Sequence, residues 1–364
     1  MKQSLFLVFA AATCLVKGCH NNASHDHSHH SQEQKTDTST VLPDWVDYID
    51  KETFIGSPSI VNCTLSGGAQ TQCLSVTLQP QPASMTIGPW CPRSIDDGAD
   101  MAGLWLDEGK VYDVDGEFIQ NLSTFYSDDK WQLFDPKTGK VNVTDTKLSC
   151  EAAARPDVDP AYQNHCVECQ MSYLPDNKNI TYVIPIKPQF SDSVAPRVDH
   201  SGVGLAYSGA RLDASAPLDA ILAAYTIAAF DDCGGHVNPA VGYHIHAVTE
   251  KCLVKANQTR NHAAEIGVAM DGYRIHERLN PNGEEPLDLD MCRGHITEVG
   301  YHYHVDTAGS NAILPCHSGQ TGCALEDGGS CDASQLRSRP PRGQRPRPIG
   351  KAPPGDRPPH LDKK

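Results

Sequence analysis

Apolar and polar residues alternate over short runs through most of this chain, and the runs are cut by Gly, Pro, Asp and Asn. Alternation with period two, bounded by turn residues, predicts strands. Val111-Tyr112-Asp113-Val114-Asp115-Gly116-Glu117-Phe118-Ile119 reads as strand, turn, strand. Lys130-Trp131-Gln132-Leu133-Phe134 reads as a strand entering the turn Asp135-Pro136-Lys137-Thr138-Gly139. Gly204 to Leu212 predicts a hairpin turning at Ser208-Gly209, and Gly267 to Ile275 another turning at Asp271-Gly272. One helical stripe stands out: Leu218, Ile221, Leu222 and Tyr225, opened by Ser215-Ala216-Pro217 and ending before Gly234-Gly235, with a strand over Tyr225-Thr226-Ile227 as the alternative. The pattern predicts a mainly β, β-sandwich-like fold with few short helices.

The two ends break this pattern. Lys2 and the apolar run Leu5 to Ala12 read as a signal peptide over residues 1–18, too short to span a bilayer. Val16-Lys17-Gly18-Cys19 allows two readings: lipidation at Cys19, the one membrane attachment expected, or ordinary cleavage near Gly18. Residues 19–42 form a polar tether in which His20, His25, His27, His29 and His30 crowd together, either a flexible metal-scavenging tract or a solvated linker. Residues 332–364 read as a disordered tail rich in Arg and Pro. From Ala333 the tail carries nine Lys/Arg against two Asp, whereas the whole chain has a net charge of -15. The acidic body excludes nucleic-acid binding by electrostatics, and the basic tail suits an acidic surface or polysaccharide.

Of 14 cysteines, Cys14 lies in the leader and Cys19 is set aside as the lipid site. The twelve that remain, from Cys63 to Cys331, are an even set in an exported chain and predict a disulfide-stapled fold in a secreted or periplasmic setting. Cys63 and Cys73 can clip a hairpin across Ser66-Gly67-Gly68. Cys166-Val167-Glu168-Cys169 has redox or zinc spacing, but no surrounding βαβ pattern or second Cys pair supports either, so structural disulfides are expected. Asn-x-Ser/Thr sequons at Asn22, Asn62, Asn121, Asn142, Asn179 and Asn257 suit a glycoprotein in a eukaryotic host. The acidic run Asp96, Asp97, Asp100, Asp107, Asp113 and Asp115 lacks the spacing and distal Glu of an EF-hand and reads as solvated surface.

Chemistry concentrates in a tandem repeat, with copies at about 202–252 and 265–316. Gly204-Leu205-Ala206-Tyr207-Ser208-Gly209-Ala210-Arg211-Leu212 matches Gly267-Val268-Ala269-Met270-Asp271-Gly272-Tyr273-Arg274-Ile275. Cys233-Gly234-Gly235-His236 then leads to Tyr243-His244-Ile245-His246, as Cys292-Arg293-Gly294-His295 leads to Tyr301-His302-Tyr303-His304. Cys252 and Cys316 follow, so the copies suggest matching roles for Cys233 and Cys292 and for Cys252 and Cys316. Two blocks repeated in order indicate an internally duplicated unit.

These blocks resemble the YHYH domain family of exported proteins, from Ile180-Thr181-Tyr182-Val183-Ile184-Pro185 to about His317, with Ile245 where the family motif has Tyr. The segment from Trp105 to Gln170 is similar to longer members, less specifically. The resemblance divides the chain into a Cys-containing, β-rich region at 43–170 and a duplicated domain at 171–331. It names no reaction.

On a strand, residues two apart share a face, so His244 pairs with His246 and His302 with His304. If the duplicated strands meet, the four imidazoles converge on one ion, with His236 and His295 either completing the site or holding its ligands from behind. Such a site suits copper or zinc. Neutral imidazole ligands predict binding that weakens below about pH 6.5. The competing reading is histidines that only pack and hydrogen-bond. Three functions stay open: a metal-binding protein, a metal-dependent secreted enzyme of oxidative or hydrolytic type, and a metal-free extracellular interaction module. No G-x-S-x-G elbow, Walker loop or dinucleotide glycine motif is present.

Overall fold

The computed structural model describes residues 41–336, except 156, 193–197, 199–200, 250 and 327. The expected signal peptide, almost all of the His-rich tether and the tail from residue 337 lie outside the described residues. The first residues assigned to the tail sit on the body: Ala333 is buried and Asp332 bridges to Thr64.

Strands β1 (Ser59–Thr64) and β2 (Gln70–Leu78) form a hairpin closed by Leu65 to Ala69. β2 pairs with β5 (Ile180–Pro185), which pairs with β14 (Cys323–Leu325), giving a four-stranded antiparallel sheet. This sheet takes strands from both sides of residue 170. Between β2 and β5, the described residues hold one more hairpin, β3 (Leu104–Asp107) with β4 (Lys110–Asp113), and the short helices α1 (Gly116–Gln120), α2 (Leu122–Phe125) and α3 (Lys147–Ala153).

The second sheet has eight strands: β6 (Gly204–Ala206), β7 (Arg211–Leu212), β8 (Gly235–Asn238), β9 (Gly242–Ile245), β10 (Glu265–Ala269), β11 (Arg274–His276), β12 (Gly294–Thr297) and β13 (Gly300–His304). Their order is β12-β13-β11-β10-β6-β7-β9-β8. β6 and β10 pair antiparallel at the centre. Outward on each side comes an antiparallel neighbour, then a parallel one, then an antiparallel edge. The two halves therefore share strand order and sense. Both predicted hairpin turns are present, with Gly209 and Gly272 at positive φ, where a Cβ would be strained. Helix α4 (Leu218–Ala223) follows Pro217 as expected but is shorter than the apolar stripe predicts: it stops before Tyr225, whose φ is positive.

The sheets pack face to face. Leu74, Val76 and Leu78 of β2 and Ile180, Tyr182 and Ile184 of β5 meet Leu205, Tyr207, Val268 and Met270 of the large sheet. Each set is spaced by two, so one face of each sheet is buried. On its other face the large sheet contributes Ala206, Leu212, Tyr243, Ile245, Ile275 and Tyr303 to a core shared with Trp105, Phe118 and Phe230. The fold is mainly β and sandwich-like.

Six disulfides pair every cysteine from Cys63 onward: Cys63–Cys73, Cys91–Cys166, Cys150–Cys169, Cys233–Cys252, Cys292–Cys316 and Cys323–Cys331. The hairpin clip is present, and Cys166 and Cys169 reach other parts of the chain. Cys233–Cys252 and Cys292–Cys316 are formed at matching places in the two halves.

Two local expectations fail. Gly116-Glu117-Phe118-Ile119 is helical, because the Asp115 side chain accepts from the Phe118 N–H and caps α1. Capping overrides the apparent alternation. Lys130 to Phe134 does not become a strand: Lys130 lies in a turn, and the segment forms only the isolated bridge Phe134 to Val141.

Candidate metal centres

Each half of the large sheet builds its histidine cluster with the same local device. An Asp lies two residues before the Cys of the repeated Cys-x-Gly-His block. The Asp231 carboxylate accepts from the Cys233 and Gly235 N–H groups, and the Tyr243 hydroxyl donates to it at 3.0 Å. In the other half Asp290 accepts from the Cys292 and Gly294 N–H groups, and the Tyr301 hydroxyl donates to it at 2.7 Å. The Tyr lies over the Gly before the first His: a Cβ on Gly235 would stand 2.6 Å from the Tyr243 hydroxyl, and one on Gly294 1.9 Å from that of Tyr301. Asp, Gly and Tyr thus lock the turn, and the following antiparallel register sets His236 opposite His244 and His295 opposite His302. Burial of Asp231 raises its carboxyl to about 6.

The four motif histidines do not converge. β9 and β13 are separated by β7, β6, β10 and β11, five interstrand steps, or about 24 Å at the usual strand spacing. An antiparallel central pair places equivalent strands at opposite sides of the sheet. The structure brings together two clusters instead: His236, His244 and His246, and His262, His295, His302 and His304. Within each, one candidate ligand atom per residue lies within 4.8 Å of all the others. All six histidines singled out from the sequence are included, three in each.

The four-histidine cluster has a marked pattern. His302 Nδ1 donates to the Gly300 carbonyl at 3.1 Å, His304 Nδ1 to that of Glu277 at 2.7 Å and His262 Nδ1 to that of Ala263 at 3.1 Å. His295 Nδ1 donates to the Asp288 carboxylate at 2.8 Å. A carbonyl or carboxylate oxygen can only accept, so each Nδ1 carries a proton, and in its neutral form each ring turns its Nε2 lone pair inward. Those Nε2 atoms meet at 2.8 Å (His295 to His302), 2.9 Å (His302 to His262) and 3.2 Å (His304 to His295). Each such contact is a hydrogen bond where one of the two rings is doubly protonated, and a lone-pair repulsion where both are neutral. An ion with Zn–N bonds of about 2.0–2.1 Å would turn that repulsion into bonding.

In the three-histidine cluster, His244 Nδ1 donates to the Gly242 carbonyl at 3.0 Å and His246 Nδ1 to that of Ala214. His236 stacks on Phe230 with centroids 4.9 Å apart. The Asn238 amide reaches His244 Nε2 at 3.3 Å, and its own oxygen accepts from the Ala240 and Val241 N–H groups. All three histidines line a cleft of about 620 Å³.

Burial favours the neutral form of His236, His244 and His246 in this cluster and of His302 and His304 in the other. It pushes His244 down to about 3, with His246 beside it adding to the shift, and lowers His236 and His246 as well. In the other cluster burial takes His302 to about 4, His304 to about 3 and the adjacent His276 to about 2.

Sequence reasoning missed His262 and His276. His276 was findable: it directly follows the repeated Arg-aliphatic pair, where the first half has Asp213. It packs on His302 with centroids 4.5 Å apart. His262 sits in no repeated block, and only the chain's path before β10 brings it in. Asp213 pairs with Arg211 at 3.2 Å, both largely shielded, and Arg211 with the neighbouring histidines draws its carboxyl down to about 2 against the cost of burial.

Fold and clusters define a class: a disulfide-stapled β protein with two histidine clusters suited to hold metal. Residues 181–285 match the family model described as YHYH protein, so this part of the chain is a YHYH domain. The match takes in the three-histidine cluster and stops before β12 and β13. No curated protein and no solved structure matches the chain.

Proposed function

We propose that the protein is an exported metal-binding protein that holds one transition-metal ion, copper or zinc, in each histidine cluster. The observation that carries this reading is the convergence of four Nε2 atoms while every Nδ1–H is committed outward to an oxygen. Histidine ligands of metals are commonly oriented this way, and Asp288 behind His295 forms the carboxylate–histidine pair typical of such sites. Four imidazoles complete a tetrahedral set; three leave one position over. Twelve cysteines locked in disulfides leave imidazole in place of thiolate as the ligand on offer and fit an oxidising compartment.

The test is metal content by elemental analysis of full-length, disulfide-intact protein in which His20, His25, His27, His29 and His30 are changed to Asn. Two ions per chain are expected, one after His302→Ala. Protein that takes up no copper or zinc from buffered solution fails the reading.

A further inference from the structure

We infer that the two clusters differ in kind: the three-histidine site is an open coordination site that takes a small monoanionic oxygen-donor ligand with an apolar body, while the four-histidine site is closed. This rests on the metal reading and adds to it a ligand, a place and a chemistry.

Ligand number comes first. His236, His244 and His246 supply three nitrogens, and a four-coordinate ion held by them keeps one position for a donor from outside. Access comes second, because all three rings line the same cleft of about 620 Å³, large enough for a small organic molecule. Its lining mixes apolar side chains, among them Trp90, Ala220, Ile221, Val237 and Val241, with the polar Arg211, Asp213 and Asn238.

Charge selects the head group. Three neutral imidazoles leave a divalent ion with its full charge. The nearest carboxylate, Asp213, is already neutralised by Arg211. The other acids of the cleft are likewise engaged: Glu168 with Arg93, Glu326 with Lys178 and Glu151 with Lys147. A shielded, uncompensated cation favours an anionic ligand over a neutral one. At the four-histidine site no such vacancy arises, since four nitrogens fill the set and Asp288 backs His295. The shared scaffold makes the contrast informative: the same Asp-Gly-Tyr turn delivers three histidines twice, and only one half adds a fourth.

The experiment uses full-length protein with the five tether histidines changed to Asn, loaded with cobalt(II), whose visible bands report coordination. Two cobalt ions are expected, and azide should shift the bands of one. The shift should persist in His302→Ala and vanish in His244→Ala or His244→Gln. Hexanoate should compete with azide at least tenfold more tightly than acetate, because each buried methylene adds about 0.8 kcal/mol. Ala220→Trp, on the cleft wall, should erase that preference and leave cobalt uptake and the azide shift intact. Two bound cobalt ions with no azide response overturn the open site while sparing the metal reading. A response lost in His302→Ala overturns it too, by placing the open position in the other cluster. Equal binding of acetate and hexanoate overturns the apolar part of the ligand. Failure to bind cobalt at all removes the metal reading and this inference together.

Discussion

The two halves of the eight-stranded sheet present the same turn, the same Tyr anchor and the same His register, yet their clusters differ at two positions. Where one half has His276 after its Arg-aliphatic pair, the other has Asp213, committed to Arg211. Where one half draws in His262, the other leaves its three rings facing a cleft. The strand scaffold thus delivers three imidazoles wherever it is used, and residues outside it decide whether the set is completed. A closed set suits retention of an ion; an open one suits exchange or ligand binding.

The sharpest way to break this comparison is to remove one ligand. His302→Ala should lower metal affinity at the four-histidine site on the order of a thousandfold while leaving the three-histidine site unchanged, as measured by competition with a chelator. Without metal the same substitution should cost little stability, because it also relieves the crowding of His295, His302 and His262. Equal metal loss at both sites would mean that the clusters are coupled.

Next in size is the Asp213 difference. Asp213→Asn leaves Arg211 shielded without its counter-charge and should cost about 3 kcal/mol in denaturant unfolding. An unchanged midpoint would show that the pair contributes nothing and that the position can be exchanged freely between halves.

Acid should separate folding from metal release. Unfolded histidines take up protons near pH 6.5, whereas the folded rings resist until about 4 at His302 and about 3 at His304 and His244. The unfolded state therefore binds more protons between these limits, and the metal-free protein should lose stability as pH falls from about 6.5 towards 4, by several degrees in Tm. Folded, loaded protein should keep its metal down to about pH 5. A Tm of the metal-free form that stays flat across this range would mean that the rings are not held neutral.

The smallest effect should come from Asp288→Asn, since Asp288 is exposed and acts only through His295. About tenfold weaker metal binding is expected at the four-histidine site and none at the other, by the same competition assay.

Much of this was legible in the sequence because it is local. Hairpins at Ser208-Gly209 and Asp271-Gly272, the clip Cys63–Cys73, helix α4 and the i, i+2 pairing of His244 with His246 and of His302 with His304 all follow from turn chemistry and strand geometry. The six motif histidines were found because they recur. The reading of Gly116 to Ile119 as a strand failed because one carboxylate, Asp115, decided between two backbones that the apolar pattern left open.

Composition, cysteine parity and the repeated blocks by themselves determine a disulfide-stapled, mainly β chain in which histidines come in pairs on one strand face. They do not determine how far apart the pairs lie. That was decided by a central antiparallel pairing of β6 with β10, which sends β9 and β13 towards opposite edges and yields two clusters instead of one. Likewise the recruitment of His262 and the cleft beside His236 depend on contacts between residues distant in the chain. Strand periodicity fixes which way a side chain points, but the order of strands in a sheet is set by packing energies summed over the whole fold, and no short segment carries that sum.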